Sequence, residues 1–161
     1  MRVLAIDPGY GRCGVAVMEK ERGGKERLIF SDCIETSAKD DFHERLAAVA
    51  DACNRLAKEY QPDAIAMEKL YFAKNQKTAM HVAEVRGALM NVAAMLNIPL
   101  FEYTPGEVKS AAAGSGNADK RAVAKMIHTL LRIEKKITHD DEYDAIAVGI
   151  THLARSRIAS L

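Results

Sequence analysis

The first third of the chain places short apolar runs between turn residues. Residues 2–7 and 14–19 flank the turn Pro8-Gly9-Tyr10-Gly11-Arg12-Cys13, and residues 27–35 follow Arg22-Gly23-Gly24-Lys25, which predicts three strands. Over residues 41–60 the period changes. Phe42, Leu46, Val49, Ala50, Cys53, Leu56 and Ala57 recur at helical spacing, and Gln61-Pro62 stops the amphipathic helix they predict. A strand over 63–68 and a polar connector over 69–78 come next. A second long helix then runs from Thr78 to Leu96 and ends at Asn97-Ile98-Pro99. Leu100 to Tyr103 is a short strand, and Thr104-Pro105-Gly106-Glu107-Val108-Lys109 a capped helical turn. Ala113-Gly114-Ser115-Gly116-Asn117 is a loop whose Asn117 is placed to cap a helix over 118–131, and a last helix spans 140–156. Three turn-linked strands followed by helix–strand–helix–strand–helix predict an α/β fold. Its mixed sheet is antiparallel in its first strands and parallel in its later ones, which helices connect. No repeat, low-complexity tract or linker interrupts the pattern, so residues 1–161 are expected to form one domain.

With 161 residues and 48% apolar content, the chain can bury a sizeable core. No apolar stretch is long enough to cross a bilayer, and Met1-Arg2-Val3 leads directly into a strand. The expectation is a cytoplasmic protein without signal peptide or anchor. Cys13, Cys33 and Cys53 form no CxxC pair, which favours reduced, packed thiols over a zinc or redox role. The net charge of +1 hides an asymmetry: from Lys69 to Lys136 there are eleven Lys and Arg against five Asp and Glu. A basic middle beside an acidic remainder is either the footprint of a polyanion or an ordinary solvated face.

Four carboxylates change that picture. Asp7 closes the apolar run Val3-Leu4-Ala5-Ile6, and Glu68 closes Ala64-Ile65-Ala66-Met67. Alternation puts Val3, Ala5 and Asp7 on one face of the first strand, and Ala64, Ala66 and Glu68 on one face of the later one. If the two strands are parallel neighbours, Asp7 and Glu68 meet at the carboxyl ends, where open α/β sheets place their sites. Asp141 and Asp144 lie three apart at the start of the last helix and share a helical face. Each acid also has a plain structural reading: Asp7 as a turn cap before Pro-Gly, and the His139-Asp140-Asp141-Glu142 run as a favourable first turn for the helix dipole. Asp144 is harder to explain that way, because Ala145 to Ile150 mark the seam where the helix meets the sheet. Carboxylates clustered there are costly to desolvate without a cation, and an all-carboxylate site suits magnesium and phosphate chemistry. The residues therefore read as a metal-dependent nuclease.

Tyr71-Phe72, among Lys69, Lys74 and Lys77, either pins its loop to the core or stacks on unpaired bases. Lys109 and Lys120 bracket Gly114-Ser115-Gly116, whose backbone amides can approach a phosphate, although the spacing is wrong for a P-loop.

Six segments in order carry a family resemblance: residues 3–9, 68–75, 85–87, 103–109, 114–120 and 141–147. Over essentially its whole length the chain resembles the RuvC Holliday-junction resolvases. The resemblance implies an RNase H-like fold and a homodimeric endonuclease that cuts four-way DNA junctions symmetrically, in recombination and repair. Asp7, Glu68, Asp141 and Asp144 match the family's catalytic acids, although some relatives have His where Asp141 stands. Tyr71 falls at an aromatic position that distorts DNA near the crossover, where the family more often has Phe. Lys109 and Lys120 match basic residues close to the scissile phosphate. Phe72, Lys69, Lys74, Lys77, Arg86 and Ser115 fall within or beside the matching segments and are carried to the DNA-binding surface. The resemblance further implies a branch-migration motor complex as partner. Two magnesium ions about 4 Å apart, replaceable by manganese, would have Asp7 as bridge, Glu68 on one side and Asp144 or Asp141 on the other.

Other readings are an RNase H-like nuclease that processes RNA, a junction-binding scaffold without cleavage, and an actin-like phosphotransferase suggested by the Asp-x-Gly-x-Gly turn. A chain of 161 residues has no room for a second phosphotransferase lobe, and a scaffold has no need of four acids.

Overall fold

A computed structural model describes residues 1–70, 76–114 and 119–156, with nothing stated for the side chain of Ala113. Five strands form one sheet: β1 (Arg2–Asp7), β2 (Arg12–Lys20), β3 (Glu26–Glu35), β4 (Ala64–Glu68) and β5 (Leu100–Tyr103), in the spatial order β3-β2-β1-β4-β5. β1 pairs antiparallel with β2, and β2 with β3, whereas β1–β4 and β4–β5 are parallel, as the pattern of turns and crossovers predicts. Among the described residues there are five helices: α1 (Phe42–Tyr60), α2 (Gln76–Met95), α3 (Pro105–Ala113), α4 (Lys120–Leu131) and α5 (Asp140–Arg155). Among the described residues, no helix is long and apolar enough to cross a membrane.

Strand alternation sorts the core into two layers. Leu4, Ile6, Val15, Val17, Ile65 and Met67 pack against Val49, Cys53, Val85 and Leu89 of α1 and α2. On the other face, Val3, Ala5, Ala16, Met18, Ala64 and Ala66 pack against α3, α4 and α5. Ala5, Ala16, Ala64 and Ala66 keep much of that second face small, which lets α5 lie close to the sheet. A Cβ on Gly149 would stand 2.6 Å from Met18 Sδ, and one on Gly14 only 1.8 Å from the Asp141 carbonyl oxygen. Gly is therefore required at Gly14, where a Cβ would meet backbone, whereas at Gly149 the flexible Met18 side chain would have to give way. Glu142 ties its first turn to β3. The carboxylate is buried, accepts from Ser31 Oγ at 2.6 Å and pairs with Lys135 Nζ at 2.5 Å.

Two local expectations are corrected. Thr104 to Lys109 begins a nine-residue helix rather than a single turn. Thr104 and Glu107 form a reciprocal capping box there, and Pro105 occupies the first helical position. α4 starts at Lys120, two residues later than expected, because Asp119 rather than Asn117 is its cap and accepts the Ala122 N–H at 2.8 Å.

Candidate active site

The site forms where β1 and β4 end beneath the first turns of α5. In the parallel register Ile6 stands beside Met67, so the next residues, Asp7 and Glu68, close adjacent strands side by side. Both belong to the sheet face that α5 covers, and α5 supplies Asp144. Glu68 lines two adjoining hollows. One, of about 240 Å³, is shared with Lys109, Lys120, Asp140 and Asp144, and the other with Asp7, Pro8 and Lys69.

The carboxylates are poorly compensated. Burial, then the negative charges of Asp144, Glu68 and Asp141, push Asp7 from 3.8 to about 7, against a smaller opposing effect of Lys120. Burial and Asp144 raise Glu68, offset in part by Lys109, Lys120 and Arg86. Burial also raises Asp144, while Lys120 opposes it. The Lys120 ammonium lies 3.2 Å from Asp144 Oδ2 and 3.6 Å from Asp140 Oδ2. Three acids gathered here with Lys109 and Lys120 facing them keep unneutralised negative charge, although their oxygens do not all lie within 4.8 Å of one another. That set suits a hard divalent cation.

Asp141 departs from the expected arrangement. It stands at the flank of the cleft, with Oδ2 buried 3.2 Å from Arg12 Nε in an ion pair not aligned for a hydrogen bond. Its charge still reaches Asp7, so it belongs to the electrostatics of the site while its side chain is engaged elsewhere. Arg86 requires a full correction. Expected to contact DNA, it is 7% exposed, and its guanidinium donates to the Glu68 carbonyl oxygen and the Glu102 carboxylate. Charge makes an isolated arginine in a basic segment look like a phosphate ligand. Here it is consumed in fixing the end of β4 and thereby the backbone that carries Glu68.

Lys69, Lys77 and Lys109 are exposed, and Lys109 faces the cleft. Tyr71, Phe72, Lys74 and Ser115 lie outside the described residues. Residues that sequence reasoning missed are Asp140, which shares Lys120, and Arg12, which holds Asp141. Asp140 had a signal in its acidic run, which the helix dipole alone accounted for. Arg12 had none, because it and Asp141 are distant in sequence and meet only through the β2–α5 contact.

Comparison with known proteins identifies the family. The family model described as crossover junction endodeoxyribonuclease RuvC matches residues 3–152. The chain is 42% identical over 152 residues to the crossover junction endodeoxyribonuclease RuvC of Petrotoga mobilis, covering 94% of this chain and 93% of that one. It is 40% identical over 158 residues to that of Brachyspira hyodysenteriae, covering 98% and 97%. Among solved structures, Thermus thermophilus RuvC in complex with Holliday junction substrate superposes with a TM-score of 0.92 at 29% identity, covering 99% and 96% of the two chains. A match this long in sequence, joined to a five-stranded mixed sheet that brings three acids together, leaves one assignment: the chain belongs to the RuvC family of crossover junction endodeoxyribonucleases.

Proposed function

We propose that this protein is a magnesium-dependent, structure-selective endonuclease that resolves four-way DNA junctions by paired incisions during recombination and repair. The approach of Asp7, Glu68 and Asp144, from β1, β4 and α5, to two adjoining basic-rimmed hollows that share Glu68 carries the reading. Asp7, with Glu68 on one side and Asp144 on the other, would hold two magnesium ions, with manganese as a substitute. Asp141 would join after leaving Arg12. When bound, the ions supply Lewis-acid stabilisation of the phosphate and a water activated for attack.

The remaining work falls to the chain's own residues. Lys120, released from Asp144, and Lys109 sit where they can offset charge developing on the phosphate. Asp7 must give up its proton before it can serve as ligand, and burial beside three other carboxylates, which raises its pKa to about 7, makes that loss harder without a metal. Lys69 and Lys77 supply exposed positive charge for the DNA backbone. Tyr71 and Phe72, with Lys74 and Ser115, complete the proposed DNA surface, the aromatics by stacking on bases unpaired at the crossover.

Residues 1–161 would act as one nuclease domain, as a homodimer in the cytoplasm, beside a branch-migration motor complex. The test is cleavage of a synthetic four-way junction with magnesium, beside linear duplex DNA and structured RNA. Paired cuts in the junction, with the other two left intact, are the expected result. Preferential cutting of RNA would overturn the reading in favour of an RNA-processing nuclease, and tight junction binding without cleavage in favour of a scaffold.

A further inference from the structure

Asp141 is drawn from the carboxylate cleft toward a second group of side chains with different chemistry. Cys33 of β3, His139 at the N-cap of α5 and Asp141 in its first turn each present a donor atom, and these atoms all lie within 4.8 Å of one another. The sequence brings them together in a definite way. Cys33 and Glu35 are two apart on β3 and so project from the same face of the strand. Gly14 pairs with Cys33 across β2–β3, and its missing side chain is what admits the Asp141 backbone.

The surroundings of His139 favour a ligand role. Its Nε2 is 3.2 Å from Glu35 Oε1, while Nδ1 is 3.5 Å from the Arg12 guanidinium. An Nε2–H given to a carboxylate leaves Nδ1 as the acceptor, the arrangement by which a second carboxylate orients metal-ligating histidines; here the Arg12 guanidinium occupies that lone pair. Arg12 completes the picture. Its side chain, 54% exposed, reaches Asp141 through Nε and His139 through Nη1, so an exposed positive charge already stands between two of the three donors.

We propose that Cys33, His139 and Asp141 form a binding site for a zinc-class divalent cation, with Glu35 as the carboxylate that orients His139. A thiol, an imidazole and a carboxylate suit zinc, cobalt(II) or a similar borderline ion and not magnesium, which takes oxygen ligands. Tetrahedral zinc with ordinary bond lengths needs its donors about 3.4–3.8 Å apart, so the three close in by no more than about 1 Å. Arg12 swings out into solvent, and water takes the fourth position. Binding converts the Cys33 thiol to a thiolate bonded to the metal and releases one proton to solvent, with no change of oxidation state. The occupied site keeps Asp141 away from Asp7, so the cation opposes nuclease activity. That last consequence rests on the nuclease reading, whereas the site itself does not.

Titration with cobalt(II) in the presence of excess magnesium tests the site directly. The wild-type protein should take up one equivalent with a near-ultraviolet thiolate-to-cobalt charge-transfer band. Cys33→Ser should lose that band, and Glu35→Gln should weaken binding about 10- to 100-fold. Cys13 and Cys53 are buried away from this face and serve as internal controls in every variant. No band in the wild type, or an undiminished band in Cys33→Ser, overturns the site. In parallel, zinc added to a magnesium-supported junction-cleavage reaction should slow the wild type at least tenfold and spare Cys33→Ser, whose activity without zinc is unchanged. Equal inhibition of both proteins overturns the coupling to Asp141. A wild type that never cuts with magnesium refutes the nuclease reading alone, because the cobalt band still decides the site.

Discussion

At the scale of single residues, Asp7 concentrates the chemistry. It is the most deeply placed acid of the cleft and feels three other carboxylates. Asp7→Asn should reduce junction cleavage below about a tenth of wild type, at least ~1.4 kcal/mol of barrier. Junction binding should be kept or improved, because a negative charge near phosphate is removed; cleavage and gel-shift assays on the same variant check both. The same carboxyl makes stability depend on pH. Its folded pKa of about 7 exceeds its ordinary 3.8, so the folded protein holds this proton more tightly than the unfolded chain does. Stability from this group is then fullest below about pH 4 and declines as pH rises to about 7, by on the order of 4 kcal/mol at most. The metal-free wild type should therefore melt lower at pH 8 than at pH 5, and Asp7→Asn should lose most of that decline. Part of it should survive, because Glu68 and Asp144 are shifted in the same direction. Magnesium at pH 8 should raise the wild-type melting temperature more than the variant's. A pH profile identical in both proteins would refute the assignment.

At the scale of elements, the proposed site depends on how closely α5 rides on the sheet. Gly14 and Gly149 leave no room for a β-carbon, and the Glu142–Ser31–Lys135 contacts hold the start of the helix against β3. Gly14→Ala would meet backbone rather than a flexible side chain, so α5 itself must shift. The expected cost is about 1–3 kcal/mol of stability. At a temperature where the variant remains folded, cleavage should fall further than the folded fraction does, because Asp144 moves off Asp7 and Glu68. Gly106→Ala is the control: nothing lies within 4 Å of a Cβ there, and stability should stay within about 1 kcal/mol of wild type. Chemical denaturation beside single-turnover cleavage separates the two effects.

At the scale of the molecule, α2 points to assembly. Its inner face, Val85, Leu89 and Ala93, is buried against the sheet and α1, while Met80 and Met95 are 66% and 74% exposed and Met90 lies at 37%. A Cβ at Gly87 would meet nothing within 4 Å. An apolar helix with one face spent on its own core and another left outward suits a two-fold contact with a second copy. Such a dimer would present two clefts to two symmetry-related strands. Sedimentation at micromolar concentration should show the dimer, and Met95→Glu should shift it toward monomer and uncouple the paired cuts. A wild-type monomer that makes both cuts in one binding event would sink this arrangement.

Much of this molecule was legible in the order of its residues. Period-2 and period-3.6 apolar patterns are local, so the five strands, the long helices and the face on which Asp7 and Glu68 project could be read directly from Val3-Leu4-Ala5-Ile6-Asp7 and Ala64-Ile65-Ala66-Met67-Glu68. Turn and crossover lengths then set which strands run antiparallel and which parallel. Partnership between distant side chains was not legible, because charge and polarity do not say what a residue will face after packing. Arg86 looked like a phosphate ligand and became the buried clasp of β4, and Asp141 looked like a fourth metal ligand and turned to Arg12. Cys33, spaced like an idle thiol, gained His139 and Asp141 only because Gly14 lets α5 descend onto β2 and β3. The sequence by itself determined the elements and the acids at their ends; tertiary packing decided which of those acids come together and which, like Asp141 and Asp144, find a basic side chain.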